Sequence, residues 1–181
     1  MGLMPLVIRP ATPDDMTQIT AIYAHAVLHG TATFEIDPPD AAEMARRWRV
    51  LTQNGHPYLA AEVDGAVTGY AYAGPYRSRP AYRWTVEDSI YVARDAQRGG
   101  IGRALLQRLI EETTARGFRQ MIAVIGDSAQ VASIALHRAL GFRLIGTHEA
   151  VGFKHGRWLD TVEMQRALGA GSAESPKDIR G

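Results

Sequence analysis

The chain has 181 residues, enough for one domain that folds without a disulfide or a metal. Its 20 Lys+Arg balance 19 Asp+Glu, a net charge of +1, and 46 % of it is hydrophobic. That excludes disorder and the charge footprint of a general nucleic-acid binder. The absence of cysteine excludes a cysteine nucleophile, a disulfide framework and thiolate zinc sites, and fits a reducing compartment.

Met1 to Arg9 has no basic stretch and only a short apolar run, so no signal peptide is expected. Leu6 stands where a myristoylation signal at Gly2 needs Ser or Thr. No segment reaches the ~20 apolar residues of a membrane span. A cytoplasmic protein without membrane or nucleic-acid partners is expected.

Leu6 to Arg9 reads as a short strand. Thr12 then caps a helix, with Pro13 at its first position, Asp14 and Asp15 in its first turn, and Met16, Ile19, Ile22, Tyr23, Ala26 and Val27 at helical spacing. Asp40 and Glu43 form a capping box before a second helix that Asn54-Gly55 stops. Tyr58 to Val63 and Ala66 to Tyr72 are strands around the hairpin signal Asp64-Gly65. Thr85 to Val92 is a third strand. Gly100 to Arg116 is a helix with Leu105, Leu106, Leu109 and Ile110 on one face. Gln120 to Ile125 is a strand, Ser133 to Leu140 a short helix, and Phe142–Thr147 and Asp160–Gln165 two last β segments. The class is α/β or α+β, a single domain over 1–168 with a flexible tail over 169–181.

Gln97-Arg98-Gly99-Gly100-Ile101-Gly102-Arg103 lies between a strand and a helix. Glycines there turn backbone N–H groups toward an anion, the helix start adds partial positive charge, and Arg98 and Arg103 suit phosphate; the alternative is a plain connecting turn. An NTPase P-loop fails because no Gly-Lys-Ser or Gly-Lys-Thr follows. A dinucleotide fingerprint fails because its third glycine position is Leu105 and Ala93 to Gln97 separates strand from glycines, although Asp127 stands near where a ribose-binding acid is sought.

Gln-x-x-Gly-x-Gly after a strand resembles motif A of the GNAT N-acetyltransferases. Three further stretches resemble the phosphinothricin and methionine sulfoximine branch: Trp84 to Val92, Ser133 to Phe142, and Val151 to Asp160, with Thr33-Phe34-Glu35 near the front. The resemblance implies the GNAT fold, a mixed and mostly antiparallel sheet flanked by helices. It implies acetyl-CoA as co-substrate, a small amine as partner, and a homodimer. It places the catalytic base at Glu87 and the oxyanion donor in the backbone of Ile90, Tyr91 and Val92. The pyrophosphate falls to residues 97–103, and the pantetheine arm to the region of Gln130 and Ser133, where relatives often have asparagine.

Chemistry agrees with those positions. An attacking amine has a pKa of about 8 or above and needs a base. Glu87 is in reach of a cleft, while a regular strand turns Asp88 to its other face; Ser89 returns to the Glu87 side. The departing thiolate can take a proton from an acid, and the resemblance implies His137, which stands where many relatives have a tyrosine; its ordinary pKa of about 6.5 suits that role, and the alternative is a packed helix histidine. Arg77, Ser78 and Arg79 follow a strand and are expected to line the cleft opposite the cofactor. There the arginines suit an acceptor carboxylate or phosphinate, or remain solvated. Phe34 supplies an apolar wall or plugs the core.

Other constellations fail. His25 and His29 have the spacing of a helical zinc pair, but Ala26 stands where a zincin needs Glu, so no metal is expected. Gly126-Asp-Ser-Ala-Gln130 lacks the closing glycine of a nucleophile elbow. Trp48, Trp84 and Trp158 are expected as packing anchors. The reading is direct acetyl transfer to an amino-acid-like amine. The rivals are a polyamine, aminoglycoside or protein N-terminus as acceptor, favoured by an acidic cleft around Glu35 and Glu87, and an inactive CoA-binding sensor.

Overall fold

A computed structural model describes residues 5–176. Its strands are β1 (Val7–Pro10), β2 (Tyr58–Val63), β3 (Ala66–Pro75), β4 (Thr85–Val92), β5 (Gln120–Gly126), β6 (Arg143–Lys154) and β7 (Arg157–Ala167). Its helices are α1 (Met16–His29), α2 (Ala41–Gln53), α3 (Ile101–Ala115) and α4 (Val131–Ala139). The strands form one seven-stranded sheet in the order β1-β2-β3-β4-β5-β7-β6. Only β4 and β5 run parallel, with α3 as the crossover between them.

The central strands are buried on both faces, so alternate residues feed two cores. Leu59, Ala61, Ala71 and Val86 face Leu105, Leu106 and Leu109 of α3. Tyr58, Ala60 and Tyr70 face Ile19, Tyr23 and Val27 of α1 and Met44 of α2. The amphipathic helices read from the sequence thus cover opposite sides of the sheet. Asp40 caps α2 through the Glu43 N–H at 2.8 Å. Among the described residues no helix is long and apolar enough to cross a membrane.

Three expectations change. The first helix begins with a 3-10 turn, Pro13–Asp15, because Arg9 holds both Asp15 oxygens at 2.7 and 2.8 Å while Asp15 also accepts from the Thr12 N–H. The last two β segments are one long hairpin. Register shifts between Leu144 and Gly146 and between His148 and Gly152 break the alternation by which strands are recognised. Trp158 is no packing anchor: it is 64 % exposed, edge-on to Phe153. Beyond β7, the chain turns back through Gly171 N–H to Leu168 carbonyl and Ala173 N–H to Ala170 carbonyl bonds. The remainder of the tail, 177–181, lies outside the described residues.

Candidate active site

Pairing of β4 with β5 runs from Thr85–Gln120 to Asp88–Ala123 and stops, although β4 continues to Val92 and β5 to Gly126. Past Asp88 the strands part. The β4 backbone from Ser89 to Val92 therefore has no ladder on that side. Two cavities meet there. One, of about 360 Å³, holds Glu87, Asp88, Ser89, Phe34 and His137 in its wall. The other, about 470 Å³, runs from His25 and His29 along Val92 to Arg94 and Gln97. They share Ala32, Ile90, Tyr91 and Gln130, so a molecule in one is separated from the other by that wall alone.

Glu87 and Asp88 leave the strand on opposite faces, as its pleat requires. The Glu87 carboxyl is pushed up to about 7, first by burial and then by the negative charges of Asp88 and Glu163. A carboxyl poised there takes up a proton near neutral pH. Asp88 turns toward α4, where its Oδ2 is 3.0 Å from His137 Nε2. Its Oδ1 is buried without a hydrogen-bond partner among the described residues.

His137 is buried, and its Nδ1 donates to the Ser133 carbonyl at 2.8 Å. Burial disfavours its charged form, but the hydrogen bond and charge of Asp88 and the Ser133 carbonyl outweigh that and raise its pKa. With Nδ1 already donating, the bond to Asp88 favours an imidazolium that gives a proton to each partner.

Phe34 is both wall and plug. Its ring lies so close to Gly152 that a Cβ there would fall 2.3 Å from Phe34 Cε2, and one at Gly126 would fall 3.0 Å from Phe34 Cε1. Gln130 sits at the N-terminal cap of α4 and donates to the Thr31 hydroxyl at 3.2 Å. Ser133 contributes its carbonyl to His137 and also lines the pocket.

In the glycine turn, Arg98 and Gly100 adopt left-handed backbone with φ of 67° and 79°. Gly100 caps α3 with no side chain on its first-turn N–H groups, which leaves them for an anion. Gln97, Arg98, Gly99 and Arg103 are exposed around it. Ile101 differs: its side chain is buried against Leu105 in the core, because it belongs to the apolar face of α3, so only its backbone is available.

The arginine loop stands apart from the expected cleft lining. Arg77, Ser78 and Arg79 form a separate shallow recess with Tyr82. The reason is stacking: the Arg77 guanidinium lies 5.0 Å from the Tyr76 ring and 5.8 Å from Tyr82. None of the residues of that recess lines the pocket that holds Glu87. Glu35 does not form an acidic cleft with Glu87. Arg47 holds it at 2.6 Å, and the Tyr23 hydroxyl donates to it at 2.9 Å. The His25 and His29 rings lie 4.8 Å apart and tilted by 46°, and among the described residues no three potential ligands gather around a metal site. Sequence reasoning missed Tyr23, Tyr72 and Thr161 in the pocket and Arg94 in the groove; the tyrosines read only as strand and helix core.

The sequence model of the acetyltransferase (GNAT) domain matches residues 8–162. A phosphinothricin N-acetyltransferase of Alcaligenes faecalis is 52 % identical over 170 residues, 94 % of this chain and 86 % of the relative. The L-methionine sulfoximine/L-methionine sulfone acetyltransferase of Salmonella typhimurium is 42 % identical over 90 % of this chain and 95 % of its own. The crystal structure of a GNAT superfamily phosphinothricin acetyltransferase from Sinorhizobium meliloti in complex with AcCoA superposes with a TM-score of 0.94 at 55 % identity. It covers 97 % of this chain and 95 % of that one.

Proposed function

This chain belongs to the GNAT acetyltransferases, and we propose that it moves the acetyl group of acetyl-CoA directly to the amine of a small amino-acid-like acceptor of the phosphinothricin and methionine sulfoximine kind. The observation that carries this reading is the pair of cavities sharing one wall at the parted strands, with a carboxyl poised at about 7 on the acceptor side.

The residues present fit acetyl-CoA. The groove offers a cradle of unpaired β4 backbone, and the uncapped start of α3 with Arg98 and Arg103 suits the pyrophosphate. Acetyl-CoA supplies the thioester carbonyl that the amine attacks. Glu87 removes the proton from the acceptor's ammonium. The free N–H groups between Ile90 and Val92 stabilise the charge that develops on the carbonyl oxygen. His137 is the proton source for the departing thiolate, a step that competes with its bond to Asp88. Gln130, at the shared wall, meets the pantetheine arm. With no cysteine, the acetyl group passes without an acyl-enzyme.

On the acceptor side, Phe34, Asp88 and Ser89 wall the pocket, and Arg77 or Arg79, on the loop before β4, holds the carboxylate. Glu35, ion-paired with Arg47, disfavours a polycationic acceptor. We also propose a homodimer through the edge strand β6 and its partner β7, which expose Leu144, Ile145, Val151, Phe153 and Trp158.

The decisive experiment compares methionine sulfoximine with its decarboxylated amine by thiol release. A charge-assisted hydrogen bond to the carboxylate, ~1.5–3 kcal/mol, predicts a preference of roughly 10- to 150-fold in kcat/KM for the amino acid. Replacing the responsible arginine with alanine removes most of it. Equal rates, or a faster reaction with spermidine or an N-terminal peptide, would overturn the amino-acid acceptor.

A further inference from the structure

Val151 to Asp160 stands out in the sequence, yet none of its residues lines either cavity. Its polar side chains all point elsewhere. Lys154 is buried, and its Nζ donates to the Thr33 carbonyl at 2.8 Å. His155 Nε2 lies 3.2 Å from the Gly30 carbonyl and is therefore its donor. Arg157 Nη2 donates to Asp127 Oδ2 at 2.6 Å, an oxygen that also accepts from the Thr31 hydroxyl at 2.9 Å. Asp160 accepts from the Ser128 hydroxyl at 2.7 Å, and its carbonyl accepts from the Asp127 N–H at 2.8 Å.

Apart from the Ala150 N–H, from which Asp160 Oδ1 also accepts at 2.9 Å, every one of the partners lies in residues 30–33 or 127–128. The first segment belongs to the irregular connection 30–40, which carries Ala32, Thr33 and Phe34 into the pocket wall. The second leads to Gln130. A connection without a helix or strand of its own takes its position from tertiary bonds; Tyr23, Arg47 and Gln130 hold its Thr31, Thr33 and Glu35 side chains, and the β6–β7 turn holds its Gly30 and Thr33 carbonyls. Phe34 is pinned in the same way, its ring against Gly152 of β6. A buried ammonium with a single carbonyl partner is costly, and burial pulls the Lys154 pKa down. An apolar residue fills such a space more cheaply, so packing alone does not account for a lysine there.

We infer that the turn joining β6 and β7 is a clasp on the acceptor pocket, with Lys154 and Arg157 as positioning residues that set acceptor affinity by fixing the Thr31–Phe34 wall. The inference rests on the acceptor reading of that pocket. Neither residue touches the reacting groups. Neutral lysine still donates an N–H to the Thr33 carbonyl, so the clasp does not depend on the ammonium charge.

The test uses the full chain. Lys154→Met is expected to raise the KM for methionine sulfoximine about 10-fold, the loss of one buried hydrogen bond. The KM for acetyl-CoA should change less than about 2-fold. Arg157→Gln has a smaller effect of the same kind, because Arg157 is 54 % exposed, and Arg157→Lys recovers most of it. In amide exchange with no acceptor present, both disruptive variants speed exchange across 31–35 while the β4 core keeps its protection. Gly152→Ala, which drives a methyl into the Phe34 ring, supplies the same loss of acceptor affinity if Lys154→Met does not fold. Unchanged exchange across 31–35 overturns the clasp. Faster exchange with an unchanged acceptor KM, or equal losses for both substrates, overturns the positioning role. A wild-type protein that acetylates no amine defeats the proposed function instead, and exchange alone then decides whether the clasp exists.

Discussion

The groove and the pocket share a wall, but they are built in different ways. The groove and the turn beyond it come almost wholly from two continuous stretches, Ala21 to Ala32 and Ile90 to Arg103, and the second offers backbone: an unpaired strand edge and an uncapped helix start. The pocket collects Tyr23, Phe34, Tyr72, Glu87, His137 and Thr161 from six separate parts of the chain, and it offers side chains with shifted protonation. A ligand recognised by backbone needs only a local turn. A reaction that moves protons needs groups whose charges are set by neighbours far away in sequence. Changes in the pocket should therefore alter rates and pH dependence, and changes in the turn should alter affinity.

The largest effect is expected at Glu87. Glu87→Gln should lower turnover ~100- to 10,000-fold near pH 7 and recover in part at alkaline pH, where the amine ionises unaided. In the wild type, kcat/KM should rise with pH through a limb near 7, as the carboxylate forms. The same shift has a thermodynamic sign. The folded-state pKa of about 7 exceeds the ordinary 4.5, so the unfolded chain releases the proton first. Stability is then full below about 4.5 and falls as pH rises to about 7. Glu87→Gln removes that loss, on the order of 2–3 kcal/mol at pH 8 and nothing at pH 4. Thermal melts of the two proteins should diverge across that window; parallel curves would mean that Glu87 is not perturbed.

A change in the turn should look different. Gly100 holds a left-handed φ of 79°, with open space where its Cβ would be. Gly100→Val is expected to weaken acetyl-CoA at least ~10-fold through backbone strain. Calorimetry reads that affinity, while the acceptor KM and the limb near 7 should stay in place. A moved limb would break the division between the two regions.

The smallest rate effect is expected from Asp88→Asn. An amide keeps a hydrogen-bond acceptor for His137 Nε2 but removes the charge that raises the imidazole pKa. The His137 pKa should fall in an NMR titration. Turnover should drop by less than the ~100-fold lower end of general acid–base assistance, because a thiolate leaves readily. An unmoved titration would show that burial rather than Asp88 governs this histidine.

Local codes were legible in the sequence. Tyr58–Val63 and Thr85–Val92 match their strands, Asp40 caps its helix, and Asp64-Gly65 turns its hairpin. Each rests on interactions within a few residues, so composition and periodicity determine it. The glycine turn and Glu87 stood out for the same reason. The long β6–β7 hairpin escaped notice because bulges and exposure on both faces erase its alternation. Only the tertiary structure decided that β4 and β5 part after Asp88, since a ladder ends where two strands diverge rather than where a residue type changes. It alone joined Asp88 to His137, 49 residues away, and Lys154 to Thr33, 121 residues away. The charge of a buried side chain is fixed by whatever the fold packs beside it, and no local pattern carries that information.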